Sequence, residues 1–334
     1  MNQLLLNQSN NSFKLTPGYI SGLTQSDGSF FCSIILSSKH RFGIQFRPKF
    51  SITADLDSKY ILESIKTYLK CGNITINNKN YTAELVVDRI EDLHNFIIPH
   101  FYHYPVFCAK LHAFNLFKQI VIALYNKDKR TIEGRRELLK LALSMNTTTN
   151  RQVDRIEKLY SLLNVSEDKD KILLQNDIKE ISSELSNEHI LGIIDGDGSF
   201  YISFQKDGTI KTGFNITNDK ESKILLERIQ TQLNNIGSIH KGTKNELVYT
   251  VTGINQIVEV LIPFIDKYPV FSEKSEHYSK FRSVSLILKN EQPLTLQSKL
   301  KIVELAYDMN KKGKRRLMTK SEYINLLKQI SSNY

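Results

Sequence analysis

The feature that most constrains this chain is a stretch that occurs twice: Ile20-Ser21-Gly22-Leu23-Thr24-Gln25-Ser26-Asp27-Gly28-Ser29-Phe30, and Ile190-Leu191-Gly192-Ile193-Ile194-Asp195-Gly196-Asp197-Gly198-Ser199-Phe200. The offset between the copies is a constant 170 residues. Each copy reads as a helix that stops at Gly28 or Gly198, where a left-handed glycine would end it. A strand rich in aromatic and β-branched residues follows. Thr16-Pro17 supplies a capping hydroxyl and a proline at the first helical position.

Gly18, Gly22 and Ser26 are four apart and share one helix face, as do Gly192 and Gly196. Small residues at that spacing let two helix backbones approach closely. The segments are too short and polar to span a membrane, so the partner expected for each glycine face is the other copy. That pairing brings Asp27 and Asp197, each in the last helical turn, together on a pseudo-twofold axis. Two carboxylates at two negative helix ends repel each other, and a hard divalent cation such as Mg²⁺ relieves the repulsion.

Read alone, Asp-Gly-Ser-Phe is a hairpin turn. Two copies with matched glycines and matched downstream elements instead resemble the LAGLIDADG motif of homing endonucleases, in the single-chain, two-motif form. The resemblance spans nearly the whole chain and implies an α+β fold. Two pseudo-symmetric αββαββα repeats, 1–146 and 186–334 joined by a linker 147–185, would form a saddle of antiparallel sheets around a two-helix interface. It also implies metal-dependent hydrolysis of DNA, with Mg²⁺ (and Mn²⁺ in its place) held by Asp27, Asp197 and the main-chain carbonyls of Ser26 and Gly196.

Composition narrows the partners. A formal charge of +10 and a pI near 9.2 favour a polyanion. Three scattered cysteines without metal-ligand spacing read as reduced thiols. The N-terminus shows neither the basic region of a signal peptide nor the arginines of a transit peptide. Abundant Asn, Ile and Lys suit an AT-rich genome and point weakly to organellar coding, mitochondrial or, failing that, chloroplast.

The strands carry the binding expectation. On the return strand that follows the first motif's strand Phe30 to Leu36, Ile44, Phe46, Phe50 and Ile52 alternate with Gln45, Arg47, Lys49, Ser51 and Thr53. This is either an ordinary solvated sheet face or a row of groups that reads base edges and phosphates. Lys39 and Arg41 lie in the preceding loop. Asn73, Thr75 and Asn77 repeat the pattern before a turn at Lys79. The second half offers Lys206, Lys211 and Asn215, then Ser238, His240, Lys241 and Lys244. Two sheets with such faces, together one saddle, suit the major groove of a long, non-palindromic duplex, bound by a monomeric pseudo-dimer. The run Lys311-Lys312-Gly313-Lys314-Arg315-Arg316 either adds phosphate contacts or is a solvated connection.

Two departures and two echoes mark the comparison of the halves. Gln25 stands where the second motif has Asp195, at a position that is not the metal-binding acid, so a tolerated packing change is expected. Family resemblance assigns a catalytic basic residue at the end of the fourth strand to Arg89; its counterpart 164 residues on is Gly253. Ser51 and Asn215 resemble the water-organising position of the second strand. Tyr104-Pro105-Val106-Phe107 recurs as Tyr268-Pro269-Val270-Phe271, again 164 apart. Three functions are open on the sequence: a site-specific DNA endonuclease promoting intron homing, an RNA maturase aiding splicing of a host group I intron, and a DNA-binding regulator without catalysis. Both acids are intact, which favours the first. An intein is not expected, because the chain starts at the first motif region and ends in Ser-Asn-Tyr. Neither a nucleophile triad nor a phosphate-cradling glycine loop is present.

Overall fold

A computed structural model describes residues 15–145, 153–163, 185–244, 246–309 and 316–332. The first motif helix, Pro17–Asp27, leads into β1 (Gly28–Leu36) and β2 (Ile44–Asp55). The helix Lys59–Leu69 follows, then β3 (Asn73–Asn77) and β4 (Thr82–Val87). Helical segments at 90–103, Cys108–Tyr125 and Ile132–Met145 close the half. The second half repeats this order. Its motif helix is Asn187–Asp197, with β5 (Gly198–Phe204), β6 (Ile210–Asp219), a helix Lys223–Gln232, β7 (Ser238–Lys241) and β8 (Glu246–Val251). Helices at 254–267 and Lys274–Asn290 complete the repeat.

Each half holds one antiparallel four-stranded sheet, ordered β1-β2-β4-β3 and β5-β6-β8-β7. The alternation read from the sequence sets which side faces the helices. Ile44, Phe46, Phe50 and Ile52 are buried and Arg47 is exposed, so a one-residue slip would invert the sheet. Beneath β1 the rings of Phe30, Phe50, Phe101, Phe114 and Phe117 pack with centroids 4.9–5.7 Å apart, within the range of favourable aromatic pairs. Phe200, Phe214, Tyr278 and Phe281 rebuild that cluster in the second half.

The motif helices are the seam between the halves. Thr16 Oγ1 accepts from Tyr19 N–H at 3.3 Å, and Ser186 Oγ accepts from His189 N–H at 3.2 Å. The glycines are needed for closeness: a methyl placed on Gly22 would run into His189 O, and one on Gly192 would lie 2.5 Å from Leu23 N. Gly18 meets Ser186 Oγ in the same way, at 2.8 Å. One expectation is corrected. Gly28 and Gly198 are not left-handed; their φ values are −89° and −69°, in the extended region. Glycine is required there because the strand folds back tightly on its helix, and a Cβ at Gly28 would lie 2.7 Å from Thr24 O.

Beyond the repeat, the helices Leu296–Ala306 and Lys320–Ser332 enclose a small second core of Val303, Tyr307, Tyr323 and Leu327. Arg316 is used there structurally. Its guanidinium sits 4.5 Å from the Phe204 ring centre and 5.2 Å from that of Tyr307, and donates to Ile202 O at 2.9 Å. The rest of its basic run, 311–315, lies outside the described residues. Of the expected linker, the helix Val153–Leu162 is observed, with Leu159 and Leu163 buried in the core; residues 164–184 lie outside the described residues. Among the described residues no helix is long and apolar enough to cross a membrane.

Candidate functional site

The helix pairing determines where the acids go. A Cβ built on Gly196 would stand 2.7 Å from Ser26 Oγ and 3.0 Å from Asp27 Oδ2, so the end of one motif helix touches the acid of the other. Burial pushes the Asp27 carboxyl up to about 6; the charge of Asp197 adds to the rise, while Lys274 and Lys110 oppose it. Burial also raises Asp197, against the Ser26 hydroxyl and the same two lysines. Asn218 Nδ2 donates to Asp197 Oδ2 at 3.3 Å. The first-half counterpart of Asn218 is Ala54, so only one of the two acids has this donor.

Lys110 and Lys274 are site residues that sequence reasoning missed. Lys110 Nζ donates to Gly28 O at 2.5 Å, and Lys274 Nζ donates to Gly196 O and to Ile194 O. Burial lowers both ammonium groups, and the facing acids pull them back up. Their spacing is 164 residues, the offset already shown by the Tyr-Pro-Val-Phe repeat, and that was the available signal. Arg89 is placed elsewhere. It is 74% exposed, 3.9 Å from Asp92, and lines a separate cavity with Lys66, Lys70 and Asn73. The reason is direction: β4 starts opposite Asp55, whose charge reaches Asp27, and runs away from the acids to Val87, so the residue after it leaves the centre.

Two cavities of about 280 and 300 Å³ flank the seam. One joins Ser26 and Lys110 of the first half to Asp197 and Asp219 of the second. The other joins Gly196 and Lys274 of the second half to Asp27 and Asp55 of the first. Each cavity thus sets the motif acid of one half beside the lysine of the other, and the second is lined as well by Asp195 and Glu273 from the half that supplies Lys274. Among the described residues no three His, Cys, Asp or Glu side chains converge on a metal position. What the centre offers is an oxygen set, two carboxylates and adjacent main-chain carbonyls, with more negative charge than its surroundings comfortably hold. That donor chemistry fits a hard divalent cation.

Gln25 and Asp195 do the same mechanical task with different chemistry. Gln25 Oε1 accepts from Phe107 N–H at 2.8 Å and its amide donates to Phe107 O at 3.4 Å. Asp195 accepts from Phe271 N–H at 2.8 Å, from Ser272 N–H and Oγ–H at 3.1 and 2.6 Å, and from Tyr19 OH at 2.9 Å. Each ties its motif helix to the loop that precedes the helix carrying Lys110 or Lys274.

Strand register sorts the expected binding residues. Ser51 pairs with Val86, which pairs with Asn73, and Thr53 is joined through Glu84 to Thr75; Asn77 ends the same row. Gln45, Arg47 and Lys49 continue it outward, Arg47 donating to Gln45 Oε1 at 3.0 Å, and Lys39 and Arg41 stand exposed at the β1–β2 loop, Arg41 over the Phe42 ring. In the second half Lys211, Asn215, Ser238 and His240 share the corresponding face, with Lys206 in the exposed turn and Lys244 in the β7–β8 turn. Lys241 departs from the expectation: it has the parity of half-buried Ile239 and so belongs to the opposite face. Missed on the polar face were Phe31, Tyr201 and Glu84, which lie on β1, β5 and β4, outside the strands that carry the expected cations and amides.

Two sheets about a helix seam, with an acid and a lysine from opposite halves meeting in each of two adjoining cavities, define a single-chain pseudo-dimer in which duplication supplies both sites. The chain belongs to the LAGLIDADG endonuclease family, whose model matches residues 20–121 and again 190–285. It is 29% identical over 300 residues to the probable intron-encoded endonuclease 2 of Neurospora crassa, covering 87% of this chain and 64% of that relative. It thus spans just under two thirds of that protein. It is 26% identical over 260 residues to the probable intron-encoded DNA endonuclease 1 of Mycosarcoma maydis, covering 75% of this chain and 92% of the relative. The I-SmaMI LAGLIDADG homing endonuclease bound to cleaved DNA superposes with a TM-score of 0.78 at 27% identity, covering 90% and 98% of the two chains. The same protein has been solved on its uncleaved DNA target with calcium ions.

Proposed function

We propose that this chain is an intron-homing endonuclease that hydrolyses one phosphodiester in each strand of a long, non-palindromic duplex. The observation that carries the reading is the composite centre: two acids at the ends of paired helices, each with a lysine from the other half, between two polar sheet faces. Asp27 and Asp197 would hold Mg²⁺ or Mn²⁺, with the carbonyls of Ser26 and Gly196 as further oxygen donors. A cation held there would lower the pKa of a water for in-line attack and would offset charge on the leaving 3′ oxygen. Lys110 and Lys274 place positive charge beside the scissile phosphates, in dry surroundings where such charge acts strongly. Ser51 and Asn215 order water at the sheet ends nearest the seam. Gln25 and Asp195 keep the lysine helices in register with the acids.

The halves 1–146 and 186–334, with 147–185 between them, act as one monomer on one duplex. The residues Lys39, Arg41, Gln45, Arg47, Lys49, Asn73, Thr75, Asn77 and Lys79 face the first half-site; Lys206, Lys211, Ser238, His240 and Lys244 face the second. The Asn-, Ile- and Lys-rich composition supports coding in an organelle, a mitochondrion first. The test is cleavage of a duplex spanning the intron-free insertion site of the gene that carries this reading frame, with Mg²⁺ or with EDTA. Metal-dependent double-strand cleavage, lost in Asp27→Asn and in Asp197→Asn, is the expected result. Tight binding without cleavage by the unaltered protein would overturn it and turn attention to intron splicing.

A further inference from the structure

The two sheets are closely matched in backbone and differ sharply at one set of equivalent positions. On the polar face of the first sheet, Lys49 Nζ lies 3.1 Å from Glu84 Oε1 and 5.4 Å from the centre of the Phe31 ring. Both charged side chains are only about a third exposed, so the pair is held in place across the strands. Shifted by the constant offsets, Phe31 becomes Tyr201, Lys49 becomes Gly213 and Glu84 becomes Val248. The strand pairing confirms the equivalence, since Phe31 faces Lys49 across β1–β2 and Tyr201 faces Gly213 across β5–β6.

Gly213 stands in mid-strand, where glycine weakens a sheet unless something must come close to the backbone. Here that is the Tyr201 ring. A Cβ at position 213 would run into Tyr201 Cζ and the phenolic oxygen and lie 2.8 Å from Cε2. The phenol therefore lies flat across bare backbone. Position 248 is valine, so the glutamate of the first sheet has no counterpart here.

We propose that these positions make the two halves read their half-sites by different chemistry, the Lys49–Glu84 pair recognising a G·C pair and Tyr201, seated on Gly213, recognising a thymine methyl group. This deepens the endonuclease reading and rests on it. The matching is direct. In the major groove guanine presents the acceptors O6 and N7 beside the N4–H donors of cytosine, and a lysine beside a glutamate presents the complementary donor and acceptor. An A·T pair breaks that order, because its adenine N6–H donor stands between the N7 and O4 acceptors and a methyl group occupies the place beyond O4. A flat apolar ring has the opposite preference: it gains from covering the thymine methyl and offers no cation to guanine. Gly213 is thus a specificity-determining residue without touching DNA, because any side chain there lifts Tyr201 from its seat.

The test is competition binding to the insertion-site duplex and a series of single substitutions across it, in Ca²⁺ so that binding is read alone. In the second half-site every thymine is also replaced, one at a time, by deoxyuridine, which lacks only the methyl group. The unaltered protein is expected to lose about fourfold in affinity at one such position, the equivalent of one buried methyl group. Tyr201→Ala and Gly213→Lys abolish that thymine–uracil difference and leave the first half-site unaffected. Lys49→Met and Glu84→Gln do the converse, reducing a roughly tenfold or greater G·C preference at one first-half position. Absence of any thymine–uracil difference with the unaltered protein, or its persistence in Tyr201→Ala, overturns the proposal while leaving the endonuclease reading standing. Failure of the unaltered protein to bind the insertion-site duplex overturns both.

Discussion

At the scale of single residues, the seam is a place where ordinary ionisation is inverted. Burial lowers His100 to about 4 and His189 to about 3, so both are neutral in the folded protein, whereas a free imidazole has a pKa near 6.5. The unfolded chain therefore takes up protons that the folded chain refuses. Stability is complete above about pH 6.5 and falls as the pH drops toward the folded values. Asp27 works in the opposite sense: its raised carboxyl favours the fold below the unfolded carboxylate range, and that advantage is lost as pH rises through about 6. We expect the urea midpoint of the metal-free protein to fall between pH 7 and pH 5. The fall should become steeper in Asp27→Asn, which removes the opposing group. At pH 7 the same substitution should stabilise the metal-free protein by about 2 kcal/mol, because it relieves the cost of keeping a buried carboxylate charged, while abolishing cleavage. His100→Phe, which installs the residue type of its counterpart Phe264, should flatten the acid branch. A midpoint that rises on acidification in Asp27→Asn would contradict the assignment.

At the scale of the element, the two motif helices are joined backbone to backbone. The side chains that flank the glycines, Tyr19, Ile20, Leu23, Ile190, Ile193 and Ile194, are all buried, so there is nowhere for a displaced helix to slide. Gly22→Ala and Gly192→Ala should each cost about 3 kcal/mol or more, the upper range for overpacking, because the obstructing atoms are backbone and cannot rotate away. Ser26→Ala, a few residues along the same face, should cost under about 1 kcal/mol in chemical unfolding, because it removes atoms instead of adding them. If Gly22→Ala unfolds at the unaltered denaturant midpoint, the helix seam does not have this geometry.

At the scale of the whole molecule, the important fact is the crossing of parts between halves. Lys110 shares its cavity with Asp197, and Lys274 shares its own with Asp27. Neutralising one lysine should therefore impair the two cuts unequally. With supercoiled plasmid carrying the target, Lys110→Met and Lys274→Met are each expected to accumulate nicked circles, and labelled strands should show opposite strands spared. The cut that depends on the missing lysine should slow by about a hundredfold or more, the loss typical of one preorganised charge or donor. Equal slowing of both strands in both variants would show that the lysines serve one shared centre. The partial asymmetry already present, Asn218 beside Asp197 and Ala54 at the equivalent place, leads us to expect unequal strand rates in the unaltered protein as well.

How much of this was legible in the sequence follows the range of the interactions. The repeat, the glycine face, the alternation of β2 and the two acids are local patterns, set by periods of about 3.6 and 2 residues, and sequence alone was sufficient for them. It was also sufficient to pair the halves, because an exposed glycine face on two like helices has one economical partner. For Lys110 and Lys274 over Arg89 the sequence held only the 164-residue echo, which does not say which cations lie near the acids. All three are isolated cations among 45 lysines and arginines, and what separates them is the direction of β4 and the loop tied down by Gln25 or Asp195. Nor could it show that Gly28 and Gly198 are extended, that Lys241 turns to the other face, or that Tyr201 lies across Gly213. Those are matters of close approach between atoms, many of them on residues far apart in the chain, and only the packed tertiary structure decides them.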